Sequence, residues 1–142
     1  MGGPAVVALA LSLPLTGCAE VGDTSSAGGY SPAKLAAAGS GDLQRVTFTP
    51  DAAARVDLQT DTAARVGRHT VVDYAALIYD GQGESWVYTV PGPLTFLRAK
   101  VAVNRIEGDR VLIANGLAPG TRVVTVGATE VYGAELDIGG SH

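Results

Sequence analysis

The chain has 142 residues, ten basic and fourteen acidic, for a formal net charge of −4; this balance offers no cationic footprint for a phosphate backbone and argues against nucleic acid as a partner. Its one cysteine cannot form an internal disulfide, and one thiolate cannot by itself build a tetrahedral zinc site, which wants about four ligands. Nineteen glycines and a hydrophobic fraction of 46%, rich in Val and Ala, suit a β-rich domain with many turns.

Residues 5–15, AVVALALSLPL, are an apolar run of signal-peptide length, short of the ~20 residues that span a bilayer as a helix. The following Leu15-Thr16-Gly17-Cys18 resembles the lipobox of bacterial lipoproteins. That resemblance implies that the Cys18 sulfur receives a diacylglyceryl group and that Cys18 heads the mature chain. Two acyl chains anchor stably where one is marginal. The alternative is a buried free cysteine in an ordinary amino-terminal helix. Met1 to Pro4 depart from the signal pattern, since the first basic residue is Lys34; a misassigned start codon would explain this. Residues 1–17 are thus read as a lipoprotein signal peptide. The remaining chain suffices for one ordinary domain with its own core.

Residues 18–44 are dominated by Gly, Ala and Ser and read as a flexible linker. Within them Ser31-Pro32 is placed to start a short helix through Lys34 to Ala38, stopped by Gly39. From Arg45 the texture becomes short runs of period-two alternation broken by Gly, Pro and Asp, the spacing of an all-β domain. Val46 to Thr49 is a strand candidate. Pro50 to Val56 predicts one or two helical turns with Thr49 as cap, and Leu58 to Val66 a further strand.

The strongest local signal is VVDYAALIYDGQGESWVYTV, residues 71–90. It predicts a hairpin turned at Gly81 and Gly83, with Trp86, Tyr88 and Val90 on one face and Val87 and Thr89 on the other. Pro91-Gly92-Pro93 makes the next turn. Leu97, Ala99, Val101 and Val103 then alternate with Arg98, Lys100, Ala102 and Asn104, which predicts one strand wet on one side. Glu107-Gly108-Asp109 turns the chain back, and Val111 to Ala114 pairs with that strand. Gly116, Leu117, Pro119 and Gly120 form a loop whose Leu117 plugs the core. Arg122 to Gly127 closes the sheet, and Ala128 to Ile138 supplies Val131, Tyr132 and Leu136 to an edge. The expected fold is mainly β: a single small antiparallel β-barrel or sandwich-like domain over residues 45–138, with 139–142 as a tail.

The run from Val71 through Leu136, above all GLAPGTRVVTVG at residues 116–127, resembles the membrane-proximal domain of periplasmic adaptor subunits, or membrane fusion proteins, of tripartite RND-type efflux pumps. Residues 45–62 resemble more weakly the segment that enters the body of such adaptors. A full adaptor carries a lipoyl-like domain and an α-helical hairpin between these segments, whereas here Asp61 to His69 joins them directly. Asp73 stands where the family often has Pro. The resemblance therefore implies docking against an RND-type transporter of the inner or cytoplasmic membrane, without reach to an outer-membrane channel. It places the protein outside the cytoplasm, held to membrane lipid through Cys18, and it admits a homo-oligomer.

Catalytic chemistry finds little to use. The only histidine bases are His69 and His142, too few and too poorly placed for a hydrolytic triad, and no enzyme is expected. Asp80 and Glu84 in DGQGE lack EF-hand spacing, and a Gly-requiring turn explains both glycines, so no metal is expected. Gly81-Gln82-Gly83 precedes no helix, which excludes a nucleotide loop. Met1 is the only methionine, so a soft-metal relay has no thioether ligands. No cofactor is expected. Arg98, Lys100, Arg105, Arg110 and Arg122 fall largely on the polar side of the expected meander, where they either meet an acidic transporter surface or lipid headgroups, or form an ordinary solvated face. Trp86 with Tyr88 is core or a partner anchor. The reading is a non-enzymatic, membrane-anchored adaptor or accessory subunit of an efflux transporter. The alternative is a free-standing lipoprotein that holds a small ligand in the mouth of its β-domain.

Overall fold

In the computed structural model, residues 2–4, 31–39 and 41–139 are described. The chain divides into two units, Met1–Tyr30 and Ser31–His142, and the fold is that of the second. The expected lipobox, Leu15 to Cys18, lies outside the described residues.

Strand β1 (Ala33–Ala37) pairs antiparallel with β2 (Gln44–Phe48). Helix α1 (Pro50–Arg55) follows, with Thr49 Oγ1 accepting the Ala52 N–H at 3.2 Å and Pro50 opening the first turn; these groups satisfy or remove N–H donors that a helix start leaves unpaired. Strands β3 (Gln59–Thr62) and β4 (Ala64–Val66) flank Ala63, and β5 (His69–Asp73) leads through a 3-10 turn (Tyr74–Ala76) to β6 (Ile78–Tyr79). Then come β7 (Ser85–Gly92), β8 (Thr95–Lys100), β9 (Ala102–Glu107), β10 (Arg110–Asn115) and β11 (Arg122–Val126), before helix α2 (Ala128–Gly139).

One sheet runs β1-β2-β8-β7-β11-β3, with β6 added to β7, and the other runs β4-β5-β10-β9. Every pairing is antiparallel. The protein is mainly β and sandwich-like; it is not a closed barrel, because each sheet ends in edge strands that do not pair with one another. Alternation lets the larger sheet bury both faces. Tyr88 and Val124 join one core with Val46, Phe96 and Val131 of α2, while their neighbours Val87 and Val123 join a second core with Val72, Val111 and Ile113 of the smaller sheet. The larger sheet is therefore a middle layer between the helices and the smaller sheet.

The chain changes sheets four times; it passes to the smaller sheet at single buried residues, Ala63 and Val101, and returns through the 3-10 turn after β5 and the loop after β10. The Ala63 N–H donates to Thr121 O at 2.8 Å and the Val101 N–H to Ser85 O at 2.9 Å. Gly116 lies against the crossing at Val101: with φ of +97°, a Cβ there would sit 2.2 Å from Lys100 O.

Five expectations change. The single strand over Leu58 to Val66 is two strands in different sheets, and so is that over Leu97 to Asn104. Residues 33–37 belong to neither a linker nor a helix: Ala33 and Leu35 turn inward and the strand pairs along its length with β2, so cross-strand pairing overrides the helix propensity of an Ala-rich run, and the domain starts before residue 45. Ala128 to Ile138 is helical, not an edge, because Ala128, Val131, Tyr132 and Glu135 fall on one face at helical spacing and pack toward the middle sheet. The β7 to β8 turn falls at Pro93-Leu94, where Leu94 has φ of +48°.

Candidate functional site

The five candidate partner-binding cations do not share one face. Arg98, Lys100 and Arg122 stand on the larger sheet, Arg105 and Arg110 on the smaller. Lys100 pairs with Glu84, and Arg105 Nε with Glu107 Oε1 at 2.6 Å, all four being exposed; exposed pairs of this kind contribute about 0–1 kcal/mol.

Arg98 departs furthest from expectation. The β7/β8 register sets Tyr88 opposite Arg98 and Trp86 opposite Lys100, so Arg98 lies on the face that α2 covers. Its Nη2 is 3.3 Å from Glu135 Oε1, with side chains 12% and 4% exposed. The Tyr88 hydroxyl donates to Glu135 Oε2 at 2.5 Å. The guanidinium lies 4.5 Å from the Trp86 ring centroid and 5.4 Å from that of Tyr132, a stack that compensates a buried cation whose Nε has no hydrogen-bond partner. Burial, then the hydrogen bond to the Glu135 carboxylate, pushes the Tyr88 phenol far above the usual tyrosine range. This cluster ties α2 to the middle sheet. It is no basic docking face, and Arg98 is withdrawn from that role.

The DGQGE turn is built on one carboxylate. Asp80 Oδ1 accepts the N–H groups of Gln82 and Glu84, both at 2.9 Å, and Oδ2 accepts the Trp86 indole N–H at 2.9 Å. Desolvation pushes the Asp80 carboxyl up, but the Glu84, Trp86 and Gln82 donors, with Arg98 nearby, outweigh it and hold the group below its ordinary value. Gly83 needs its φ of +79°, while Gly81 has an ordinary backbone. Among the described residues no three His, Cys, Asp or Glu side chains gather to hold a metal ion. His69 opens β5 with Nδ1 buried and unpartnered.

In the loop before β11, Leu117 is half-buried against the second core, its carbonyl accepting the Thr70 hydroxyl at 2.9 Å. Pro119 is exposed, and the Gly120 N–H donates to Ala63 O at 2.7 Å. Gly120 is thus bonded to the crossing at Ala63, and Gly116 lies against that at Val101.

A cleft of about 520 Å³ opens at one end of the larger sheet. Leu58, Val90, Leu94 and Phe96 line it, with Thr60 and Arg122. Phe96 is 1% exposed and meets Phe48 edge-on, centroids 5.7 Å apart, so that wall is fixed from behind. Arg122 Nη2 donates to Thr60 Oγ1 at 2.6 Å. The sequence gives little notice of this cleft, because its lining comes from segments far apart along the chain. Among the described residues no helix is long and apolar enough to cross a membrane.

Neither a protein-family model nor a curated protein matches the chain.

Proposed function

We propose that the protein is a non-enzymatic accessory subunit, anchored to the outer side of a cytoplasmic membrane through lipid on Cys18, that docks on the extracytoplasmic part of an RND-type efflux transporter. The observation that carries the reading is the resemblance of residues 71–136 to the membrane-proximal domain of efflux adaptors. The β-rich, two-sheet build of that segment is compatible with it. With Arg98 occupied inside, the docking surface is assigned to the β9/β10 hairpin, the outer edge of the smaller sheet. There Arg105 and Arg110 are exposed beside Ile106, which is 45% exposed, and a free strand edge adjoins cations suited to an acidic partner.

Crosslinking in native membranes, followed by pull-down of the full chain, is expected to recover an RND-type transporter. Arg105→Glu with Arg110→Glu is expected to reduce that recovery while leaving the protein membrane-bound. Recovery of lipid alone, or recovery indifferent to the charge reversal, overturns the reading. Cys18→Ser is expected to move the chain to the soluble fraction.

A further inference from the structure

The geometry points to the cleft at Phe96 and Arg122 as a binding site for a linear monocarboxylate amphiphile, an apolar chain ending in one carboxylate. Its size falls within the roughly 300–1,000 Å³ of small-molecule sites. Its chemistry is divided in the same way as such a ligand. Leu58, Val90, Leu94 and Phe96 offer an apolar wall, while Arg122 places one exposed guanidinium at the rim.

Two features make that cation suited to an outside anion. Arg122 forms no ion pair among the described residues, in contrast to Arg98, Lys100 and Arg105. Its Nη2 is held by the Thr60 hydroxyl, which leaves other N–H donors of the planar fork for a carboxylate. The apolar wall is set in advance by the packing of Phe96 on Phe48. Leu94 adds to it from a left-handed backbone conformation that leucine rarely adopts; the same turn presents Leu94 O to the Phe48 N–H at 2.8 Å. A dianion or a sugar is poorly served here, since one cation and an aliphatic wall offer neither a second charge partner nor a ring of polar groups. The site is independent of the docking surface on β9 and β10, so either can fail alone.

The test uses the full chain in lipid nanodiscs, photolabelled with a diazirine analogue of decanoate and mapped by peptide mass spectrometry. Label is expected on peptides containing Val90 to Phe96, displaced by excess decanoate, with decanol ~10-fold weaker as competitor, the ratio that a charge-assisted hydrogen bond supplies. Arg122→Gln is expected to bring decanoate down to the potency of decanol, and Arg122→Lys to restore part of the difference. Circular dichroism of each variant guards against misfolding. Val90→Ala, which deepens the cleft and spares the cation, is expected to shift the preference toward longer carboxylates. Label spread over the chain and indifferent to competitor means bulk partition into lipid and overturns the site. Equal competition by decanol at a labelled cleft overturns the carboxylate assignment.

Discussion

Replacing Glu135 with Ala removes the carboxylate that Arg98 and Tyr88 share. Loss of one partner of a buried pair leaves the other charge uncompensated and costs about 3–5 kcal/mol. Two local effects pull in opposite directions. The Trp86 and Tyr132 rings at 4.5 and 5.4 Å remain against the guanidinium and retain about 1–2 kcal/mol of cation–π attraction. The Tyr88 hydroxyl, on a residue with no exposed surface, loses its acceptor at about 1–3 kcal/mol. The expected net loss is therefore about 4 kcal/mol, a large fraction of the roughly 5–15 kcal/mol that holds a domain together. Urea denaturation reports it directly, because Trp86 is the only tryptophan and its emission senses the stacked guanidinium. Arg98→Met combined with Glu135→Leu and Tyr88→Phe replaces the polar cluster by apolar groups and is expected to recover most of the loss. A cost for Glu135→Ala below about 1 kcal/mol, the value of a surface pair, refutes the argument, as does a triple variant no more stable than the single one.

Gly116→Ala is expected to be severely destabilising, at about 3 kcal/mol or more, because the new Cβ meets backbone at 2.2 Å from a left-handed conformation; Gly81→Ala, with open space and ordinary φ, is expected to stay within about 0.5 kcal/mol, and thermal melts compare the two. Ala33→Asp places a charge at a position 1% exposed and is expected to lower the urea midpoint markedly, whereas no change would return β1 to the linker. Alkaline stability tests Tyr88. Its phenol is raised in the folded state, so its contribution is fully present below the ordinary value of 10.0 and is lost above it, as the unfolded chain ionises and the folded one does not. Urea midpoints between pH 9 and 11 are expected to reflect a fall of about 1.4 kcal/mol per pH unit on the high side, and Tyr88→Phe is expected to flatten that slope.

The parts of the fold legible in the sequence were those with local causes. Alternation from Trp86 to Val90 and the glycines around Gln82 specify the β6/β7 hairpin and assign Val87 and Tyr88 to opposite faces, as observed. Gly108 turns β9 into β10 with φ of +62°. The parts that escaped depend on residues far apart. Alternation alone gives Arg98 a wet face, since nothing local announces that Glu135 will arrive on a helix to meet it. The strand change at Val101 leaves the two-residue period intact, so β8 and β9 read as one strand. In β1 small alanines carry little contrast between inside and outside, and only pairing with β2 reveals which of them face the core. The Arg122 cleft is a product of tertiary assembly, and its residues carry no shared motif.

The backbone passes between the layers at Ala63 and at Val101, with Thr121 and Gly120 bonded to the first passage and Gly116 wedged against the second. The two sheets are therefore laced, not stacked: neither can peel away while the other stays whole. Loosening of the outer hairpin must draw on the middle layer, so amides of β10 and β11 should exchange with solvent in one shared step. A partner gripping the smaller sheet would thereby pull on the whole body.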